Sequence, residues 1–262
     1  MLQKKSEKWA FEVLGSSGGR DGSRSTMCLY LPEGLLIDAG NVFVLPEEKL
    51  LNIQHVIVTH SHLDHFLDIP FLIDFSFSRR EHSLNIYALN QTIEALRQYI
   101  MNWDVWPEFG SIRLSLTGEF AINYIPIEPY RTINILGYEI TPFLSNHTVP
   151  TIGVIIRKNG RSMVYTSDTH RNPELWHFIN RTNDIHVVLV DVSFPSYLSS
   201  LASASLHHTP STLMEDLNIL EDRDVKIYAV HIKPAFEEEV IMELAKLPRK
   251  VIPIVGRKTI WV

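Results

Sequence analysis

A chain of 262 residues, 45% hydrophobic and 21% charged, is long enough to bury a substantial core and has the balance of a soluble globular protein. Its net charge of −6 argues against broad, nonspecific binding to nucleic acid or anionic membrane, while leaving room for a local basic pocket. One cysteine, Cys28, excludes an internal disulfide and fits a reducing compartment. No run of about 18 apolar residues offers a membrane span, and the start MLQKKSEKWAF lacks the apolar stretch of a secretory signal, so a cytoplasmic location is expected.

Short strand patterns dominate the first third. Ala10–Leu14 reads as a strand that runs into a glycine- and serine-rich loop, Gly15 to Gly22. Cys28–Leu31 and Leu35–Asp38 read as a hairpin across Pro32-Glu33-Gly34, which makes Cys28 a packed core residue. Pro46–Leu51 suits a short helix, and Val56-Ile57-Val58 a buried strand. Pro70 can open a helix over roughly 70–78, apolar on most sides and therefore buried. Asn90–Met101 is a second helix, with Ile93, Leu96 and Ile100 at helical spacing, and Asn102–Arg131 follows no clean period. Strands resume at Ile133–Leu136 and Tyr138–Ile140, then as Ile152–Ile156 and Ser162–Thr166 around the turn pair Asn159-Gly160. A helix over Pro173–Ile179, a strand over His186–Val190, a helix over Ser211–Leu220 and a strand over Lys226–Val230 complete the pattern. No repeat or linker divides the chain, so one domain over 1–262 is expected, with an elaboration near 90–131 covering the site.

The chemistry concentrates in Thr59-His60-Ser61-His62-Leu63-Asp64-His65, directly after the Val56 strand. Imidazoles packed this closely repel once protonated and waste burial on polar rings. A divalent cation removes both penalties, because neutral imidazole nitrogen and carboxylate oxygen are good ligands for Zn²⁺ and similar ions. A loop at the C-terminal end of a buried strand is also where α/β folds usually place chemistry. Three later positions lie at strand or loop ends: His147 in Ser145-Asn146-His147-Thr148, Asp168 after Val164–Ser167, and His231 after Val230. Alone, each has an ordinary reading, a solvated or packed histidine or, for Asp168, a helix cap. Their joint placement is what marks them.

His-X-His-X-Asp-His after an apolar strand resembles the signature of the metallo-β-lactamase superfamily. The resemblance implies an α/β (α+β) fold, an αββα sandwich of two mixed β-sheets flanked by helices, with two metal ions between the sheets. By resemblance His60, His62 and His147 bind one ion, Asp64, His65 and His231 bind the other, and Asp168 bridges both. Zn²⁺ is the first expectation, with Mn²⁺ and Fe²⁺ as alternatives of overlapping ligand type. His55, His82, His170, His177 and His186 fall outside this pattern.

Two further segments narrow the chemistry by resemblance. Asn102-Trp103-Asp104-Val105-Trp106-Pro107 is similar to the Asn-Trp-X-X-Trp-Pro segment of class II cyclic-nucleotide phosphodiesterases, and His207-His208-Thr209-Pro210 to their His-X-Thr-Pro segment. His231-Ile232-Lys233-Pro234 resembles their final His-X-Lys-Pro. The sequence departs from that family at Phe66, at Asp68 (usually Gly or Ser), at Ser167 before Asp168, and at Asp191, where Glu is common. Trp103, Trp106 and Phe109 offer flat surfaces on which a base could stack, or simply core packing. Lys233 offers a point charge for phosphate, and His207 a proton for the leaving group. The resemblance thus implies hydrolysis of a 3′,5′-cyclic nucleotide (cyclic AMP or cyclic GMP) to the 5′-nucleotide through a metal-bridging hydroxide that Asp64 orients. The partner implied is a small molecule, neither membrane nor nucleic acid, and a homodimer is left open. A tRNA 3′-processing endonuclease, or a lactonase or thioesterase, keeps the same metal set, but the first needs a basic arm that this sequence lacks.

Overall fold

The computed structural model describes residues 7–262. The lysine-bearing start considered above as a secretory signal lies partly outside those residues. Among the described residues no helix is long and apolar enough to cross a membrane.

The first half of the chain supplies strands β1 (Ala10–Gly15), β2 (Cys28–Leu31), β3 (Leu35–Ile37), β4 (His55–Ile57), β5 (Leu84–Ala88) and β6 (Ile122–Pro126). The second half supplies β7 (Ile133–Ile135), β8 (Tyr138–Leu144), β9 (Ile152–Lys158), β10 (Arg161–Tyr165), β11 (Ile185–Asp191), β12 (Lys226–Val230) and β13 (Val251–Pro253), and the final strand β14 (Lys258–Trp261) returns to the edge of the first sheet beside β1. The two seven-stranded sheets run β14-β1-β2-β3-β4-β5-β6 and β13-β12-β11-β10-β9-β8-β7. In each, antiparallel pairings give way to parallel ones, from β3 onward in the first and from β10 onward in the second.

Parallel pairing demands a crossover, and the helices are those crossovers. They are α1 (Glu47–Asn52), α2 (Ile69–Ser76) and α3 (Asn90–Tyr99) in the first half, and α4 (Pro173–Arg181), α5 (Ser199–Ser205), α6 (Pro210–Leu217) and α7 (Glu237–Leu244) in the second. The result is helix–sheet–sheet–helix layering, as the resemblance implied. Alternation along the strands shows the layers directly. Val187 and Leu189 of β11 face the inter-sheet core with Ile37, Ile57, Val154 and Tyr165, whereas Val188 and Val190 face outward onto Leu175, Trp176 and Leu213. Leu36 and Val56 face outward in the first sheet, onto Leu50, Leu72 and Ile93. Burial on both faces is why these strands read as unbroken apolar runs.

Leu189 is fully buried between the sheets. Leu189→Ala should therefore cost about 2–5 kcal/mol of stability through lost burial and a residual cavity, read as a lower urea midpoint. A loss under about 1 kcal/mol would mean that the sheets repack around it.

The structure corrects several boundaries. The helix expected over 70–78 is α2 followed by a 3₁₀ turn at Phe77–Arg79, and α3 stops at Tyr99. The segment read as aperiodic contains β6, a half-exposed edge strand ending at Pro126 and paired parallel to β5. Helices α5 and α7 were not anticipated, although Glu237, Glu238 and Glu239 give α7 the acidic first turn that a helix dipole favours.

Candidate metal centre

The C-terminal ends of β3, β4, β10, β11 and β12 open on one edge of the sandwich, and the polar residues that follow them meet there. Asp38, immediately after β3, is fully buried. Its carboxylate accepts from the Thr59 amide (2.9 Å), the Thr59 hydroxyl (2.9 Å), His65 Nδ1 (2.7 Å) and the Tyr165 hydroxyl (3.1 Å). It thereby ties the exit of β4 to β10 of the opposite sheet. Ser167 donates to the same Thr59 hydroxyl at 2.8 Å. Asp38, Ser167 and His231 all hold left-handed backbone, with φ of 57°, 55° and 63°. Such conformations cost about 1–3 kcal/mol each in non-glycine residues and cluster where a site over-determines the chain. A true glycine requirement sits beside them. A Cβ on Gly18 would lie 2.5 Å from the His231 carbonyl oxygen and 2.7 Å from its Nδ1, so only glycine lets the 16–18 loop pack on that ring.

The seven residues singled out as ligands converge. One group is His60, His62, His147 and Asp168, the other Asp64, His65 and His231, with potential donor atoms within 4.8 Å of one another in each. Asp168 stands between them. Its Oδ2 lies 3.3 Å from His231 Nε2, 3.7 Å from His60 Nε2 and 3.8 Å from His147 Nε2, while Oδ1 lies 3.3 Å from His65 Nε2. The outer nitrogens are spoken for. His65 Nδ1 meets Asp38, His60 Nδ1 meets the Thr59 hydroxyl (3.1 Å), His147 Nδ1 the Leu206 carbonyl (3.2 Å) and His231 Nδ1 the Ser193 hydroxyl (2.9 Å). Anchoring Nδ1 fixes ring orientation and turns Nε2 inward, the usual arrangement around a metal-binding histidine.

Buried polar atoms rarely go without a partner, yet His60 Nε2, His65 Nε2 and Asp168 Oδ1 do so at one spot. Two imidazole nitrogens and a carboxylate oxygen, all facing inward, are a donor set for a divalent cation. The electrostatics agree. Burial, reinforced by neighbouring His65, pushes His60 well below the ordinary histidine value. Burial opposes charge on Asp168 as well, but His231 and His65 outweigh it and hold the carboxyl well below its usual range. Burial would likewise lower His231, yet Asp168, Asp191 and Asp64 raise it to about 9. The carboxylates of Asp168, Asp191 and Asp64 thus favour positive charge beside them, which suits a cation site.

His207 joins the cluster from the entry to α6, grouped with Asp168 and His231. Its Nδ1 donates to Asp191 Oδ2 at 2.6 Å, and its ring stacks on His231 with centroids 5.1 Å apart. Asp191, at the end of β11, also accepts from the Ser193 hydroxyl (2.7 Å) and the Thr169 amide (3.1 Å). The remaining sequence candidates have other neighbours. The Trp106 indole N–H donates to the Pro70 carbonyl (3.1 Å) and its ring meets Phe71 edge-on, Lys233 Nζ donates to the Gly18 carbonyl (2.6 Å), and Trp103 is exposed on the loop after α3. Asp38, Thr59 and Ser193 gave no signal of a role in the sequence, and Asp191 was noticed only as a departure from a family pattern.

Comparison with known proteins places this geometry. A "Probable 3′,5′-cyclic-nucleotide phosphodiesterase" of Yersinia pestis is 25% identical over 213 residues, 71% of this chain and 59% of its own length. A ribonuclease Z of Thermococcus sibiricus is 27% identical over 128 residues, 48% of this chain and 38% of that protein. The chain thus spans less than two thirds of these relatives. The crystal structure of unliganded yeast PDE1 shares the fold, with a TM-score of 0.79 at 16% identity over 98% of this chain and 100% of that one. The family described as "Beta-lactamase superfamily domain" matches residues 35–232, most of the chain and every residue of the cluster. This chain is therefore a member of the beta-lactamase superfamily.

Proposed function

We propose that the protein is a dinuclear metal phosphodiesterase that opens a 3′,5′-cyclic nucleotide to the 5′-nucleotide. The observation that carries this reading is the placement of Asp168 between two donor groups, with His207 held on Asp191 beside them. His60, His62 and His147 would hold one ion, Asp64, His65 and His231 the other, and Asp168 would serve both, zinc being the first ion to test and manganese or iron the alternatives. When bound, ions of this kind supply nucleophile activation near neutral pH and charge neutralisation on a phosphoryl group.

The chain's own residues do the rest. Asp64, whose side chain is partly accessible where Asp168 is not, accepts a hydrogen bond from the attacking water and aligns it opposite the 3′ ester oxygen. With Nδ1 committed to Asp191, His207 has Nε2 left to deliver a proton to that oxygen as the P–O bond breaks. Trp103 presents an exposed indole face for the base, while Trp106, whose N–H is used by Pro70, shapes the loop that carries it. Lys233 would meet phosphate by exchanging the Gly18 carbonyl for it.

What supports the cyclic-nucleotide substrate is the set of segments 102–107, 207–210 and 231–234 together with the name of the Yersinia relative. The Thermococcus match favours a second reading, a tRNA 3′-processing nuclease, against which stand the −6 charge and the absence of a basic arm in the sequence. Metal analysis followed by hydrolysis of cyclic AMP, cyclic GMP, bis(p-nitrophenyl) phosphate, a pre-tRNA and a lactone panel separates them. Cleavage of pre-tRNA or lactone without cyclic nucleotide would replace the proposal. His207→Ala should lower kcat by about 10²–10⁴-fold with metal content intact, the usual size of a general-acid contribution. An unchanged kcat would remove His207 from the proton path.

A further inference from the structure

We infer that Asp216 is a positioning residue, holding the chain segments of His147, Asp168 and His207 in one register; the functions given to those three rest on the reading above. Asp216 lies in the last turn of α6 and is fully buried. It touches none of the candidate ligands. Its Oδ1 accepts from Arg171 Nε (3.0 Å), and its Oδ2 accepts from the Asn172 amide (2.8 Å) and the Trp176 indole N–H (3.2 Å). All of these donors belong to the turn after Asp168 and the start of α4.

That turn in turn fixes the His147 segment. The His170 amide donates to the Asn146 carbonyl (2.9 Å), the Asn146 amide donates to the Thr169 hydroxyl (3.1 Å), and Asn146 Nδ2 donates to the Arg171 carbonyl (3.1 Å). Asn172 Nδ2 adds a bond to the Leu144 carbonyl at 3.3 Å. On the opposite side His208, next in chain to His207, lies with Nε2 3.8 Å from Asp216 Oδ2 and its ring stacked on His170, centroids 5.7 Å apart at 13°. The His208 carbonyl accepts from the Ser193 amide at 3.0 Å, which closes the circuit to the residue that anchors His231. One carboxylate thus sits where three otherwise separate loops touch.

The simpler account is that Asp216 merely fastens α4 to α6. A buried carboxylate adds little net stability over an apolar side chain of equal size, but the fixed directions of its acceptors constrain every donor around it. The two accounts differ in the folded protein. A fastener lowers the melting temperature alone, whereas a positioning residue changes ion affinity and turnover below that temperature.

Asp216→Asn keeps the shape but turns an NH₂ toward a donor, and Arg171→Met leaves Asp216 in place while removing its partly exposed donor, together with that side chain's ion pair to Glu215. Each full-length variant is stripped, then titrated with Mn²⁺ and with Zn²⁺, and assayed on bis(p-nitrophenyl) phosphate. We expect ion affinity weakened about tenfold or more and kcat lowered to a similar degree with KM little changed, in protein that keeps wild-type secondary structure. Folded variants with wild-type ion affinity and kcat, whatever their melting temperature, overturn the inference. Should Asp216→Asn not fold, Arg171→Met decides by the same readouts. Because ion titration needs no substrate, a wild-type protein that binds metal but cleaves no phosphodiester would sink the functional reading and leave this one standing or falling by itself.

Discussion

Asp168→Ala is expected to abolish turnover and to cost the protein at least one of its two proposed ions. Four imidazole nitrogens lie within 3.8 Å of its two oxygens, and its buried Oδ1 makes no hydrogen bond. His60 and His62 of one group and Asp64 and His65 of the other come from a single run, while the carboxylate of Asp168 faces both groups, so removing it would take a donor from each proposed ion. Stability provides a second readout. An ion held at about a hundred times its Kd stabilises the fold by about 2.7 kcal/mol. For a chain of this size that corresponds to a melting shift on the order of 5–10 °C when a chelator strips the wild type. Asp168→Ala should lack most of that chelator-dependent shift. Full activity with both ions bound in this variant would show that the ligand set has been drawn wrongly.

How far the sequence foretold this site depends on what each residue had to look like. The parallel strands were visible because burial on both faces leaves apolar runs such as Val56-Ile57-Val58 and Val187–Val190, and the ends of those runs marked where ligands fall. The histidine run was visible because such density of imidazole has few other uses. Asp38 was not, since one carboxylate after a short strand is indistinguishable from a turn residue until four donors are seen converging on it. The left-handed backbone at Asp38, Ser167 and His231 carried no glycine to announce it. Edge strand β6 was hidden by exposure and by Pro126, which a central strand would exclude. Trp106 shows the limit from the other direction. Its indole reads in sequence as a surface for stacking, and only the contact with Pro70 reveals how its polar edge is used.

The role of Asp38 leads to the second large effect, on both stability and metal. Asp38→Ala leaves the Thr59 amide and hydroxyl, His65 Nδ1 and the Tyr165 hydroxyl without their acceptor in a fully buried place. Breaking a buried network at its charged member costs about 3–5 kcal/mol, measurable as a lower urea midpoint in metal-free protein. Ion affinity should fall as well, by about 10–100-fold, because His65 loses the bond that puts its proton on Nδ1 and aims Nε2 at Asp168. Asp38→Asn separates the two contributions. Its amide oxygen can still accept from Thr59, so much of the stability should return. A neutral amide is a weaker acceptor for His65 than a carboxylate, so ion affinity should remain low. If the asparagine variant regains affinity in step with stability, then Asp38 serves the metal site only by keeping the sheets together, and its hold on the His65 ring carries no separate weight.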